Sequence, residues 1–223
     1  EYLQENGLKI QEQSCDMEVV FPRCMLFRLA AVLVLAVFTA GCAQEAVDSQ
    51  ATTLTLAGST TVLPVAQAAA DAYMADHPTA DIRITGGGSG AGVQAVGERT
   101  ADIGMSSRDL KSDETARYPG LVATTIANDG IGIIVHPGNT VPALTLGQVR
   151  AIYQGDITNW NEVGGPDLVI VVVGRDSASG TREFFFERVM NRENFTMAQL
   201  EKNSNGAVKQ TVLQTPGAIG YVG

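Results

Sequence analysis

The 223-residue sequence contains few of the residues that enzymes and metalloproteins commonly use. It has two histidines, and His77 and His136 each stand before a proline, away from the stretches that are predicted below to form a site. No His, Asp and Glu cluster has the spacing of metal ligands. The run Gly87–Ala91 lacks the last glycine of a serine-nucleophile turn. The sequence therefore argues against catalysis and predicts no cofactor and no metal.

Basic residues are also scarce, with 15 Lys and Arg against 24 Asp and Glu and a formal net charge of −9. Such a chain offers no basic patch that could neutralise a row of phosphates, which argues against nucleic acid as a partner. A small anion is not excluded, because one or two arginines and local dipoles act at short range while distant charge is screened. The apolar content of 45% is ordinary for one globular domain or two small lobes.

Residues 25–42 have the layout of a secretory signal. Basic residues flank its start, an apolar run covers Leu29–Phe38, and the sequence Thr-Ala-Gly-Cys ends at Cys42. The apolar run is too short to span a bilayer comfortably. Because the ending resembles a bacterial lipobox, we predict cleavage that leaves Cys42 as a lipid-modified N-terminus. A simple signal peptide or an uncleaved anchor is the alternative.

The neighbouring segments are interpreted from this signal. Residues 1–24 would have no place in the mature protein, so translation is predicted to begin at Met17 or Met25. We assign residues 1–42 to an upstream extension plus a lipoprotein signal peptide, and the polar residues 43–53 to a tether. Cys15 and Cys24 would be lost with residues 1–24 and leave one of the three cysteines, Cys42, which excludes an intramolecular disulfide and a cysteine-based metal site.

The stretch Gly174–Met190 has the pattern of an anion site. The apolar run Leu168–Val173 predicts a buried parallel strand before it. A helix is predicted after it, with a buried face made of Phe184, Phe185, Val189 and Met190. The turn between them is rich in Ser, Thr and Gly, and the free N–H groups and positive dipole of a helix N-terminus suit an anion.

The side chains of this turn add further donors. Ser179 and Thr181 supply hydroxyl groups, and Gly180 lets an anion approach the backbone. The guanidinium groups of Arg175 and Arg182 match tetrahedral oxyanions. The alternative is an ordinary helix cap with two solvated arginines.

Two other strand-to-helix turns have a similar composition. Residues 58–61 follow a predicted strand at Thr52–Ala57, and the glycine-rich residues 86–92 follow a predicted strand at Asp81–Thr85. A flexible loop is the alternative for the glycine-rich run. In open α/β sheets ligands bind at the carboxyl ends of the strands, so we expect the three turns to meet in one cleft.

The remaining pattern alternates strands with helices and predicts an α/β protein with parallel sheets. The first helix is predicted to start near Val62 and to bury a stripe of apolar residues, namely Val65, Ala66, Ala69, Ala70 and Tyr73. Trp160 is predicted to be a packing anchor. The other predicted strands lie before Ser106 and at Val122–Ala127, Gly130–Val135 and Pro216–Val222. Helices are predicted from Thr145 and at Ala207–Gln214, and a helix and a polar turn within Asn194–Asn205.

Six motifs, in this order, resemble those of the phosphate-binding lipoproteins of ABC phosphate transporters. They are A-G-S-T-T-V, T-G-G-G-S-G-A-G-V, A-D-I-G-M-S-S-R, L-T-L-G-Q-V-R-A-I-Y-Q-G-D-I-T-N-W-N-E-V-G-G, G-R-D-S-A-S-G-T-R and G-A-I-G-Y-V-G, and they cover roughly residues 54–223. The resemblance implies a two-lobed periplasmic-binding-protein type II fold. It also implies a non-enzymatic, lipid-anchored, extracytoplasmic monomer that captures inorganic phosphate and delivers it to ABC permease subunits.

The resemblance also implies which residues bind and how the lobes divide. Phosphate-binding roles fall on Thr60, Thr61, Ser89, Arg175, Ser179, Gly180 and Thr181. The first lobe would comprise residues 54–130 and the second lobe residues 131–223, with crossover strands within Val122–Val135 and Gly217–Gly223. In the family a further stretch completes the first lobe, so the chain is expected to be truncated at its C-terminus.

Ser107 departs from the family pattern, in which an Asp accepts the proton that phosphate carries and sulfate lacks. Asp129 is the first candidate for this acceptor and Asp176 the second, with an ordinary turn residue as the alternative for Asp129. The departure leaves a binding protein for sulfate or molybdate as an alternative. A phosphate sensor or adhesin also stays open, and a secreted serine phosphohydrolase is the remote alternative.

Overall fold

A computed structural model of the chain describes residues 52–223. The predicted upstream extension, signal peptide and Cys42, and all but the end of the predicted tether, lie outside these residues. Between residues 52 and 223, no helix combines the length and the apolar character that a membrane crossing needs.

The first sheet consists of three parallel strands in the order β2-β1-β3. Its strands are β1 (Thr52–Gly58), β2 (Ala80–Gly86) and β3 (Ile103–Met105). The connections are α1 (Leu63–Asp76) and α2 (Ser89–Gly97), and α3 (Ser112–Arg117) follows the last strand. Gly58 pairs with both Gly86 and Met105. Because the three strands end at the same level, the turns after them lie at one edge of the sheet.

The second sheet consists of four strands in the order β4-β7-β5-β6. They are β4 (Gly132–Val135), β5 (Val171–Arg175), β6 (Leu200–Lys202) and β7 (Ala218–Val222). Only the β4–β7 pair is antiparallel. The helices are α4 (Leu146–Gln154), α5 (Gly180–Arg188) and α6 (Asn205–Gln214), with a 3₁₀ turn at Trp160–Val163. We call the first sheet with α1–α3 the first lobe, and the second sheet with α4–α6 the second lobe.

The main core lies in the second lobe and is built around aromatic rings. The rings of Phe185 and Tyr221 stack with centroids 4.1 Å apart, and Tyr153 meets Phe185 edge-on at 4.8 Å. Trp160 is fully buried, and its Nε1 donates to the Gly217 carbonyl at 2.8 Å. The prediction that Trp160 is a packing anchor is confirmed.

Several local predictions are confirmed by the elements. Strands form at the predicted positions before both the first turn and the glycine-rich run. Pro64 lies in the first turn of α1, where the missing N–H costs no helical hydrogen bond. The capping box at the start of α4 is formed by Thr145 and Gln148, whose side chains each accept from the other's backbone N–H.

The predicted helix within Asn194–Asn205 is wrong. Residues 200–202 instead form β6, which pairs in parallel with Val173–Arg175 of β5. The helix that follows begins at Asn205, two residues before the predicted start, with Ser204 as its N-cap. The short segment alone does not indicate a strand, because its extended conformation is stabilised by pairing with a strand 27 residues earlier.

The predicted strand at Val122–Ala127 is also wrong. The backbone there forms no ladder with any strand that the structure describes, and Val122 and Ile126 are 90% and 72% exposed. Of the predicted first crossover, only Gly132–Val135 is a strand. A short run rich in Val, Thr and Ile is therefore not sufficient for a strand, because a strand requires a partner.

Two predicted apolar faces are only partly buried. On α1, Ala70 is buried but Val65 and Tyr73 are 62% and 52% exposed, and the Tyr73 ring stacks on His77 instead. On α5, Phe185 is fully buried whereas Phe184 is 44% exposed and lies beneath the Arg188 guanidinium. The strand before α5 begins at Val171 rather than at Leu168.

Candidate anion-binding site

The junction between the two lobes brings together the three turns that the sequence singled out. The hydroxyl oxygens of Thr61 and Thr181 lie 3.0 Å apart. The backbone N–H of Gly90 donates to the carbonyl of Ala178 at 3.0 Å. Hydroxyl groups and helix N-termini from both lobes thus face one another within hydrogen-bond distance.

Two glycines permit this close approach. A Cβ atom added at Gly180 would lie 2.8 Å from Ser107 Oγ and would overlap Ser89 Oγ. Gly88 has a φ of +89°, and a Cβ atom there would lie 2.6 Å from the carbonyl oxygen of Ala178. Both positions therefore require glycine if the lobes are to meet as they do.

In the first lobe, hydrogen bonds fix the serines around the turns. Ser59 is 2% exposed, and its Oγ accepts from the N–H groups of Thr61 and Val62 at 3.2 and 3.4 Å. Ser89 is fully buried, and its Oγ accepts from the Ser107 N–H at 3.0 Å. Ser89 lies in the first turn of α2, so the glycine-rich loop is shorter than the sequence suggested.

In the second lobe, α5 starts at the junction. Ser179 is its N-cap, with an Oγ that accepts from the Arg182 N–H at 3.2 Å. The hydroxyl hydrogen of Ser179 is still available for donation, because a hydroxyl group both donates and accepts. Gly180 and Thr181 form the first turn, where the backbone N–H groups have no partner within the helix.

Arg175 is 1% exposed and lies under the same junction. Its Nη1 donates to Asn205 Oδ1 at 2.6 Å, its Nε to the Lys202 carbonyl at 3.2 Å and its Nη2 to the Asn203 carbonyl at 3.3 Å. Burial lowers the pKa of the Arg175 guanidinium, and the neighbouring Asp176 opposes that shift. The group remains a buried cation with part of its donor set committed to the protein.

Tyr221 supports Arg175 from below, because its hydroxyl accepts from the Arg175 backbone N–H at 3.2 Å. Burial raises the pKa of Tyr221 to about 12, so this hydroxyl stays neutral. The Arg182 guanidinium, which was predicted to suit an oxyanion, lies over an aromatic ring, 4.9 Å from the centroid of Phe195. Its Nε has no hydrogen-bond partner among residues 52–223.

The carboxylates that were candidates for a proton acceptor occupy different environments. Asp129 is exposed, and its Oδ2 and Thr61 Oγ1 would lie 2.8 and 2.7 Å from a Cβ atom added at Gly223. Asp129 therefore borders the junction beside Thr61. One carboxylate oxygen of Asp176, Oδ1, is buried without a hydrogen-bond partner in the described part of the chain. Ser107, which the resemblance aligned with the family aspartate, has its Oγ 3.3 Å from Ser89 Oγ.

Ion pairs surround the junction on the side of the first lobe. Lys111 Nζ lies 2.7 Å from a carboxylate oxygen of Glu183 on α5, which joins the two lobes. Arg108 binds Glu114 through both terminal nitrogens, at 2.6 and 2.8 Å. The hydrogen bond with Arg108 is the main reason that the pKa of Glu114 is lowered, and the same bond raises the pKa of Arg108.

Asn205 is a junction residue that the sequence did not reveal. Its Nδ2 donates to Thr61 Oγ1 at 2.9 Å, and its backbone N–H donates to Thr60 Oγ1 at 3.3 Å. Asn205 is the first residue of α6 and follows β6, so it lies in a strand-to-helix turn like the other three. The signal was hidden because Asn194–Asn205 was interpreted as a helix and a polar turn, so no strand was predicted before Asn205.

The two histidines lie at other places. His77 stacks on Tyr73 at the end of α1, and the Nδ1 of His136 accepts from the Gly138 N–H at 3.0 Å in the turn after β4. Residues 52–223 contain no group of three His, Cys, Asp or Glu side chains that could hold a metal ion. The chemistry that the junction offers is hydrogen-bond donation to an anion.

Two α/β lobes whose helix N-termini meet across a junction are the arrangement found in solute-binding proteins of the periplasmic type. The model of the PBP superfamily domain matches residues 43–223. The chain is 36% identical over 169 residues to the phosphate-binding protein PstS of Bacillus subtilis, a match that covers 76% of this chain and 56% of that protein. The chain thus spans little more than half the length of this curated relative.

Solved structures give the same result. A Clostridium perfringens protein crystallised with bound phosphate, and assigned to the substrate-binding proteins of phosphate ABC transporters, is 42% identical with a TM-score of 0.73. That match covers 77% of this chain and 70% of the other. A phosphate transport receptor of Vibrio cholerae is 35% identical with a TM-score of 0.56, and 77% of this chain and 71% of the other are covered. The chain belongs to the PBP superfamily and, within it, to the family of phosphate-binding proteins of ABC phosphate transporters.

Proposed function

We propose that the chain captures inorganic phosphate between its two lobes and delivers it to an ABC permease, without acting as an enzyme. The observation that supports this most directly is the junction itself. There the hydroxyls of Thr61 and Thr181 and the N-termini of α2 and α5 come together above the buried Arg175. This donor set suits a dehydrated tetrahedral anion.

The binding residues of this proposal come from both lobes. The first lobe supplies Thr60, Thr61, Ser89 and Ser107, and the second lobe supplies Arg175, Ser179, Gly180 and Thr181. Several of these groups contact one another directly, so phosphate would replace contacts between lobes with contacts to its own oxygens. Because the ligand then bridges the lobes, it would shift the population toward the closed state.

Selectivity for phosphate would need an acceptor other than Ser107. Asp129 is the first candidate, since its carboxylate lies beside Thr61 at the edge of the junction. Asp176 is the second, since one of its carboxylate oxygens is buried and lacks a partner among residues 52–223. A carboxylate at the anion repels a fully ionised sulfate and accepts the proton of phosphate, which favours phosphate over sulfate.

The remaining parts of the proposal rest on the sequence. Residues 54–130 and 131–223 would be the two lobes, and Cys42 would carry a lipid that holds the protein at the outer face of the membrane through the tether of residues 43–53. The protein would act there as a monomer. A sensor or adhesin role would use the same phosphate site without a permease.

A binding protein for another oxyanion is the second candidate function, and the observation that favours it is Ser107 in place of the family aspartate. Isothermal titration of the chain with phosphate, sulfate and molybdate separates the two candidates. Heat of binding with phosphate and none with sulfate is expected. Equal affinity for phosphate and sulfate would indicate a general oxyanion-binding protein. Binding of none of the three anions would refute both candidate functions.

A further inference from the structure

We propose that Asn205 is a positioning residue that couples the meeting of the two lobes to the orientation of the Arg175 guanidinium. The proposal rests on the proposed function and deepens it. Asn205 is 6% exposed and would not itself need to touch the anion. Its role would be to aim the one buried cation of the site when the first lobe is in place.

On the side of the second lobe, the Asn205 amide holds Arg175. Its Oδ1 accepts from Arg175 Nη1 at 2.6 Å. The other two acceptors of this guanidinium are main-chain carbonyls, those of Lys202 and Asn203. Among the residues from 52 to 223, Asn205 is therefore the one side chain that accepts a hydrogen bond from Arg175.

On the side of the first lobe, the same amide holds the turn after β1. Its Nδ2 donates to Thr61 Oγ1 at 2.9 Å, and its backbone N–H donates to Thr60 Oγ1 at 3.3 Å. Nδ2 also lies 3.3 Å from the carbonyl oxygen of Gly223. Because Thr61 Oγ1 is 3.0 Å from Thr181 Oγ1, the amide connects directly to the hydroxyls of the site.

The chemistry of the amide fixes which atom faces which lobe. A guanidinium group has donors only, so Oδ1 must face Arg175. The N–H₂ group must then face Thr61 and the Gly223 carbonyl, as it does. A side chain that only donates could not accept from Arg175, and one that only accepts would leave the Gly223 carbonyl without this donor and would need Thr61 to donate instead.

The consequence for binding follows from the donors of Arg175. A guanidinium group has five N–H donors, and three hydrogen bonds to Asn205, Lys202 and Asn203 leave the other two for a ligand. Without the Asn205 amide, a buried N–H of a charged group loses its acceptor, and only the carbonyls of Lys202 and Asn203 still orient the guanidinium. The anion would then lose part of its cationic partner.

The first test compares Asn205→Ala with Asn139→Ala in phosphate titrations of the chain. Asn139 is a partly buried asparagine in the turn after β4 whose Oδ1 accepts from the Val141 N–H at 2.9 Å. We expect at least about tenfold weaker phosphate binding for Asn205→Ala, as for a lost hydrogen bond to a charged group, and no more than about threefold for the control. Loss of affinity within about threefold in both variants would overturn the proposal.

A double-mutant cycle separates positioning from a merely structural role. In an Arg175→Lys background, where the fork of donors is gone, Asn205→Ala should weaken phosphate binding by less than about threefold. If the two losses multiply as independent effects, Asn205 does not act through Arg175 and the proposal is refuted. Thermal unfolding of the same variants shows whether a loss of affinity merely follows a loss of stability.

A measurement without phosphate keeps the proposal testable if the chain binds none. The ¹⁵N resonance of Arg175 Nε should shift in Thr61→Val, because the lost hydrogen bond releases the Asn205 amide that holds Arg175. The same change in an Asn205→Ala background should leave that resonance in place. An unshifted resonance in Thr61→Val would overturn the coupling, whereas absence of phosphate binding with the shift present would overturn only the proposed function.

Discussion

Replacing Gly180 with alanine tests whether the lobes must meet at this turn to bind the anion. The added Cβ atom would lie 2.8 Å from Ser107 Oγ and 3.0 Å from Ser89 Cβ, and it would overlap Ser89 Oγ. Ser89 is fully buried and its Oγ accepts from the Ser107 N–H, so turning this hydroxyl away would break that hydrogen bond, and its Cβ would still lie 3.0 Å from the added atom. We therefore expect the first lobe to shift away from α5.

The free-energy cost of moving the first lobe away from α5 can be estimated as a range. Overpacking a tight contact costs about 1–3 kcal/mol. If the state in which the lobes meet is the one that binds phosphate, this cost weakens the affinity by roughly 5- to 150-fold. Helix propensity acts in the opposite direction, because alanine is better than glycine in a helix by about 1 kcal/mol. The variant should therefore lose affinity while the second lobe keeps its stability.

The assay is isothermal titration with phosphate, together with thermal unfolding, for Gly180→Ala and for Gly206→Ala. Gly206 also lies in the first turn of a helix, and a Cβ atom there would have only Ser204 Oγ within 4 Å, at 3.9 Å. The control should keep its affinity and its thermal stability. Unchanged phosphate affinity in Gly180→Ala, or an equal loss in both variants, would refute the reasoning.

Three further predictions concern selectivity, acid stability and the core. Asp129→Asn should narrow the preference for phosphate over sulfate in paired titrations, because the carboxylate that repels sulfate is removed. Acid unfolding should show that the Arg108–Glu114 pair stabilises fully above the ordinary Glu114 pKa of 4.5 and less as pH falls through the lowered pKa, so Arg108→Met should flatten this dependence. Trp160→Phe should lower the free energy of unfolding by about 1–3 kcal/mol in denaturant titrations, since the hydrogen bond to Gly217 is lost and the ring is smaller.

Each of these predictions has an outcome that contradicts it. Unchanged selectivity in Asp129→Asn would move the acceptor role to Asp176, which Asp176→Asn then tests. An equally steep acid dependence in Arg108→Met would show that other carboxyl groups dominate the pH response. A Trp160→Phe variant as stable as the parent chain would show that the hydrogen bond to Gly217 contributes nothing measurable.

Local signals in the sequence predicted much of the fold. The capping box at Thr145, the proline in the first turn of α1 and the apolar run before Arg175 each involve contacts within a few residues, so the pattern carries the structure. The two-lobed fold was predicted from the resemblance of six motifs to those of a known family. The three turns that the sequence singled out are among those that the structure brings to the junction.

What the sequence did not predict depends on partners that are distant along the chain. Residues 200–202 are a strand because they pair with β5, and Val122 is exposed because no described strand pairs with its segment. Arg175 was predicted to bind an anion or to be solvated, yet it is buried and donates to Asn205, which lies 30 residues further along the chain. Asn205 in turn reaches Thr61, 144 residues earlier. These residues are too far apart along the chain for a local sequence pattern to predict their contacts.

A crystal structure of the chain with phosphate tests the central claim most directly. The account predicts one phosphate ion at the junction, within hydrogen-bond distance of a hydroxyl from the first lobe, of the N–H groups that begin α5, and of the Arg175 guanidinium. A phosphate ion bound elsewhere on the chain, or held by only one of the two lobes with Arg175 turned away, would contradict it.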